Sequence, residues 1–131
     1  MSVKTFLTRF AVLGTLTAAA STALMTGTAS AASEKVCSSY YCNTTNGTAN
    51  YVTTLVASRN SPLVGKYGYF NVYGPNGFNL TGRTSTESRD TFAIRKSFDP
   101  GSLLCLRFFE SVGGGAWKQR GNAVCTTTPV G

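Results

Sequence analysis

The stretch Phe98–Cys125, FDPGSLLCLRFFESVGGGAWKQRGNAVC, decides the fold. Asp99-Pro100-Gly101 is a turn-forming triplet. Leu103–Glu110 is an apolar, aromatic run suited to a strand. Gly113-Gly114-Gly115 permits a tight reversal, and the chain then returns to a second cysteine. A bulge-free hairpin turning at Gly115 sets Cys105 directly opposite Cys125, where a cross-strand disulfide is geometrically possible. In that register Leu104, Leu106 and Phe108 share the face to be buried with Thr126, Val124 and Asn122 opposite them. Leu103, Cys105, Arg107 and Phe109 share the other face, so the disulfide clamps the outer surface.

Upstream, the same strand-and-turn rhythm repeats. TFAIRKSF puts Phe92, Ile94 and Phe98 on one face of a half-buried strand, a pattern broken only by Lys96. YVTTLVAS, from Tyr51, is rich in β-formers and ends at Asn60-Ser61-Pro62. KYGYFNVY and FNLTGRTS flank Gly74-Pro75-Asn76-Gly77 and form a hairpin. No run in this region has helical spacing. Short strands divided by Gly/Pro/Asn turns predict an all-β fold: a small antiparallel β-sandwich of about six to seven strands with two disulfides.

The amino-terminal segment reads differently. MSVKTFLTR is a basic start, FAVLGTLTAAASTALM an apolar and small-residue run, and Ala29-Ser30-Ala31 an A-x-A cleavage site. Residues 1–31 are therefore expected to be a cleaved secretory signal of bacterial style, leaving about 100 residues as one domain. Residues 32–50, rich in Ser, Thr, Asn and Gly, are expected to form an irregular arm pinned by Cys37–Cys42. Residues 51–131 would form the sandwich, closed by Cys105–Cys125. The even count of four cysteines fits two bridges outside the cell; with no histidine, and with cysteines four and nineteen residues apart within the pairs, a zinc site is not expected. Neither a metal nor a cofactor is expected.

Asp99-Pro100-Gly101-Ser102-Leu103-Leu104-Cys105 resembles the D-x-G-x-Y-x-C corner that opens the F strand of immunoglobulin-like domains, with Leu103 in place of the tyrosine. The resemblance implies an immunoglobulin-like sandwich. It departs from the family in having no cysteine on the candidate B strand, Tyr51–Ser58, and its single Trp outside the candidate C strand. The layout is also similar to small secreted proteins of Gram-positive bacteria, a group without an assigned activity. In size, secretion and sandwich class it is similar to the chromoproteins typified by neocarzinostatin. That family's second bridge closes a short loop, unlike Cys105–Cys125, so the chain is not assigned to it.

Function is read from what the composition offers. Without histidine there is no His-based triad, and the cysteines are committed to bridges. The acids Glu34, Glu87, Asp90, Asp99 and Glu110 offer no facing pair of carboxylates. A non-catalytic protein is the expectation. The net charge of +7, two units of it on Lys4 and Arg9, is spread in runs no longer than two, so nucleic acid is not an expected partner. No stable membrane insertion is expected after signal cleavage.

Binding has better material. In KYGYFNVY, Tyr67, Tyr69 and Tyr73 share a face with Asn71, while Phe70 and Val72 take the core side. Such a row of phenol rings with an amide between is a platform for sugar rings or an extended polymer. Trp117, flanked by Lys118 and Arg120 beside the triple glycine, is a further anchor or a lid over the open end of the sandwich. The leading expectation is a secreted module for an extracellular polysaccharide or protein partner. One alternative is a protease inhibitor or toxin-like effector using a disulfide-braced loop; another is a carrier of a small apolar ligand.

Overall fold

The computed structural model describes residues 30–131, so the signal segment expected at 1–31 lies outside the described residues apart from Ser30 and Ala31. The strands are β1 (Ala32–Cys37), β2 (Tyr41–Thr48), β3 (Tyr51–Arg59), β4 (Gly68–Tyr73), β5 (Asn79–Thr81), β6 (Arg89–Ser97), β7 (Leu103–Ser111), β8 (Trp117–Gln119) and β9 (Val124–Thr127). One antiparallel sheet is ordered β1-β2-β3-β6; the other is ordered β5-β4-β7-β8, with β9 also pairing with β7. The expected all-β antiparallel sandwich with disulfides Cys37–Cys42 and Cys105–Cys125 is present, with nine strands among the described residues rather than about six to seven.

Alternation within each strand supplies the core between the sheets. Val52, Leu55 and Ala57 of β3 meet Phe70 and Val72 of β4 and Leu104, Leu106 and Phe108 of β7, all buried. The rings of Tyr41 and Phe70 meet edge to face at 5.8 Å, and Phe70 and Phe108 at 5.0 Å. Phe92, Ile94 and Phe98 are buried as the alternation predicts. Lys96 breaks the pattern because the register between β3 and β6 shifts between Val52 and Thr54, where Arg95 adopts a positive φ of 49°. A bulge carrying two exposed cations twists this edge strand and discourages edge-to-edge pairing.

Two expectations are corrected. Residues 32–50 are not an irregular arm: they supply β1 and β2, and the sandwich begins at Ala32 rather than at Tyr51. Polarity hid this segment, yet its inward face is satisfied by hydrogen bonds across the sandwich. Asn43 Nδ2 donates to Leu104 O at 3.1 Å and to Val124 O at 2.9 Å. Thr45 Oγ1 donates to Asn43 Oδ1 at 2.9 Å and lies 2.6 Å from Thr126 Oγ1. Tyr41 Oη donates to Asn122 O at 2.8 Å, and burial pushes its pKa up to about 12. Buried polar groups with partners cost little, so a strand of Tyr, Asn and Thr can stand in the core.

The second correction concerns the last hairpin. Its base has the expected register, with Cys105 opposite Cys125, Leu104 opposite Thr126 and Leu106 opposite Val124. Its tip does not, because Ser111 faces Trp117 and Phe109 faces Gln119. The reversal is centred on Gly114 rather than Gly115, and Arg120–Ala123 bulge out between β8 and β9. The expected pair of Phe108 with Asn122 is therefore absent; Phe108 O accepts from Arg120 N at 3.0 Å instead. All three glycines of the tip have positive φ, between 62° and 91°, so the reversal needs residues without a Cβ. At the other end, the Asp99 corner is tied to the carboxyl-terminal segment through Thr128 Oγ1, which donates to Asp99 O at 2.8 Å.

Arg59 closes one end of the inter-sheet space. Its guanidinium lies 4.6 Å from the Phe108 ring centroid and donates to Leu63 O, Lys66 O and Ser85 O. Burial lowers its pKa below the usual guanidinium value. Because Leu63 and Lys66 lie in the β3–β4 connection and Ser85 in the β5–β6 connection, one side chain ties these two connections together.

Candidate functional site

With Phe70 and Val72 turned inward, alternation turns Tyr69, Asn71 and Tyr73 outward on the five-stranded sheet. Strand pairing then decides their neighbours. Tyr69 lies opposite Phe109, Asn71 opposite Arg107 and Tyr73 opposite Cys105. On the far side of β7, Gln119 stands beside Phe109 and Trp117 beside Ser111. On the near side, Thr81 stands beside Asn71 and Asn79 beside Tyr73.

These rows bring the rings into contact. Tyr69 stacks on Phe109 with centroids 5.3 Å apart and planes at 27°, and takes Trp117 edge-on at 5.0 Å. The Arg107 guanidinium lies 4.6 Å from the Tyr73 centroid and 5.2 Å from that of Phe109. One continuous surface results, Trp117–Tyr69–Phe109–Arg107–Tyr73. Beyond Tyr73 it opens into a shallow apolar hollow of about 400 Å³ lined by Tyr73, Pro75, Leu103 and Cys105. The Cys105–Cys125 bridge lies beneath this end on the outer face, as expected from the alternation, and holds β9 to β7.

The expected site residues fall into different roles. Tyr67 precedes β4 and is 55% exposed, its carbonyl accepting from Ser111 N at 2.9 Å. Tyr69 and Tyr73 are half-buried. Asn71 does not lie open between phenol rings: it is buried, and its amide is used internally. Its Nδ2 donates toward Asn79 Oδ1, Leu80 O and Thr81 Oγ1, and its Oδ1 accepts from Arg107 Nε at 2.9 Å.

Trp117 neither caps the open end of the sandwich nor stands at a free tip; it lies against Tyr69 and keeps 43% of its surface exposed. Lys118 and Arg120 do not flank it on its own face. Lys118 pairs with Glu110 in register, on the side of β8 opposite Trp117. Arg120 Nε is held by Glu110 Oε1 at 2.7 Å. Phe109 and Arg107 are the residues that the choice of tyrosines missed. Alternation puts both on the outer face, but only the pairing of β4 with β7 shows that they fill the gaps between the tyrosines.

The braced loop over Ser38–Tyr41 is a tight β1–β2 turn. Tyr41 is buried in the core, and Tyr40 packs close to Gly121, where an added Cβ would approach its ring to 2.6 Å. The carboxylates lie away from the ring surface: Glu110 with Arg120, Glu87 with Arg83, and Asp90 on β6 with its pKa raised by burial. Among the described residues no group of three or more His, Cys, Asp or Glu side chains is placed to hold a metal ion, and no helix is long and apolar enough to cross a membrane. Compared with known proteins, the chain matches no family model, no curated protein and no solved structure.

Proposed function

We propose that this chain is a secreted, non-catalytic binding module that holds an extracellular polysaccharide on the outer face of its five-stranded sheet. The observation that carries the reading is the continuous ring surface from Trp117 through Tyr69 and Phe109 to Tyr73. Its rows follow the strand repeat of about 7 Å for every second residue, so the face from Tyr67 to Tyr73 is roughly 20 Å long. Packed rings present apolar area with little rotamer entropy left to lose, and they keep polar edges at hand. An extended chain of pyranose rings, apolar on its faces and hydroxylated at its rim, matches such a surface. Two disulfides fit an oxidising compartment outside the cell.

The sheet order also supports an immunoglobulin-like reading of the sandwich. β3 pairs with β6 in one sheet and β4 with β7 in the other, as B with E and C with F, and the Asp99 corner precedes β7. Such a frame leaves the outer face of the second sheet free to vary.

Co-sedimentation with insoluble polysaccharides tests the function. Retention on at least one of them is expected, with Trp117→Ala and Tyr69→Ala each weakening it about tenfold. Retention unaffected by both substitutions would place binding elsewhere on the molecule.

A further inference from the structure

The geometry points to Arg107 as a carboxylate-binding site within the ring surface, which makes the polymer an acidic polysaccharide bearing carboxylates on its sugar rings. This assignment rests on the polysaccharide reading above.

Arg107 is held in place before any ligand arrives. Its Nε donates to Asn71 Oδ1 at 2.9 Å, and its guanidinium lies against the rings of Tyr73 and Phe109 at 4.6 and 5.2 Å. Asn71 is fixed in turn by β5 through Asn79, Leu80 and Thr81. Little side-chain entropy remains to be lost on binding. The two terminal nitrogens are uncommitted: neither Nη1 nor Nη2 has an acceptor among the described residues, and neither is buried. Arg59 shows the contrasting, structural arrangement, in which both Nη atoms donate to backbone carbonyls.

Nothing on the face neutralises the uncommitted fork. Of the five acids, Glu110 is taken by Arg120 on the other side of β7, and Glu34, Glu87, Asp90 and Asp99 lie on β1, a loop, β6 and the corner. A planar fork with two parallel N–H groups matches a carboxylate in the bidentate manner. A carboxyl group attached directly to a sugar ring also stays close to that ring's apolar face. Ring and charge then reach Tyr69–Phe109 and Arg107, one row of about 7 Å apart, from a single polymer strand. A flexible phosphodiester chain offers the charge without the adjoining pyranose face.

The test uses the disulfide-bonded protein and two polymers differing only at the carboxyl group, polygalacturonate and its full methyl ester, with isothermal titration at matched ionic strength. The wild type is expected to bind the acid form about tenfold more tightly than the ester. Arg107→Gln is expected to abolish the preference, bringing the acid form and the ester to equal affinity whatever the ester's own affinity becomes, with unchanged circular dichroism. Arg107→Lys, which keeps the charge but not the fork, is expected to recover less than half of the preference. Equal binding of acid and ester by the wild type, or a preference that survives Arg107→Gln, overturns the carboxylate assignment and leaves the ring platform standing. Tighter binding of a polyglycerol phosphate of equal charge overturns it as well. Failure of the wild type to bind any polysaccharide overturns the platform and this inference with it.

Discussion

Replacing Asn43 by alanine tests how a polar strand holds its place in the core. Asn43 is fully buried. Its amide donates to two carbonyls on the opposite sheet and accepts from Thr45. The Cα atoms of Cys105 and Cys125 are 4.0 Å apart, the close spacing of a non-hydrogen-bonded pair. The flanking pairs, Leu104 with Thr126 and Leu106 with Val124, are then the hydrogen-bonded ones. Leu104 O and Val124 O thus keep their ladder partners when Asn43 is truncated, and each loses only a second bond. At about 1 kcal/mol net per bond, three lost bonds cost about 3 kcal/mol. That is a large share of the roughly 5–15 kcal/mol typical of such a domain.

In urea denaturation followed by circular dichroism, with m of about 1–3 kcal/mol/M, the midpoint is expected to fall by about 1–3 M. Thr45→Val, nearly isosteric, is expected to cost about 1–2 kcal/mol. The double variant should fall short of the sum of the two by about 1 kcal/mol, because both remove the shared Thr45–Asn43 bond. A midpoint shift for Asn43→Ala below about 0.5 M at unchanged m, or strict additivity with Thr45→Val, would refute the reasoning.

Other perturbations probe the remaining parts. Arg59→Lys keeps a cation but loses the fork that gathers Leu63 O, Lys66 O and Ser85 O; a cost of about 2–4 kcal/mol is expected. Hydrogen exchange should accelerate first in the turns at 60–67 and 83–88. Asp90 has its pKa raised above 3.8, chiefly by burial, so the folded state favours the protonated acid. Stability therefore falls as pH rises from about 3.8 through the raised folded-state value and is flat above it. Asp90→Asn should remove that slope and raise the melting temperature at pH 7. A slope that persists in the variant would assign it to another group. Replacing Cys105 and Cys125 together by alanine is expected to cost about 3 kcal/mol. Exchange should then accelerate along β9 while β3 and β6 stay protected, as differential scanning calorimetry and hydrogen exchange can report.

Much of this frame is legible in local sequence, because strands with an apolar face announce themselves by alternation. Phe70 and Val72, Phe92 and Ile94, and Leu104, Leu106 and Phe108 all face the core as their spacing predicts. The two cysteine pairs are equally legible, one as a short loop and the other as partners across a hairpin. β1 and β2 were not. Tyr41, Asn43 and Thr45 do alternate onto one face, but the partners that make their burial affordable lie in β7, β9 and the bulge before β9, and only the fold brings these together. The bulge at Arg120–Ala123 was hidden for a related reason: nothing in GGGAWKQRG distinguishes a register centred on Gly114 from one centred on Gly115.

The site was half visible. Tyr69, Tyr73 and Trp117 are conspicuous residue types, whereas the roles of Arg107 and Phe109 depend on β4 lying beside β7, strands more than thirty residues apart in the chain. Asn71 reads as an open amide within its own strand, because the partners that occupy it come from β5 and Arg107.

The most direct test of the binding face is the fluorescence of Trp117, the protein's single Trp, in a titration with polygalacturonate under acrylamide quenching. Trp117 is 43% exposed and lies against Tyr69, so the free protein should emit to the red and quench readily. At saturating polymer the emission is expected to shift to the blue and become protected, with the titration midpoint moved about tenfold higher in Tyr69→Ala. Polymer binding that leaves emission and quenching of Trp117 unchanged would contradict the account.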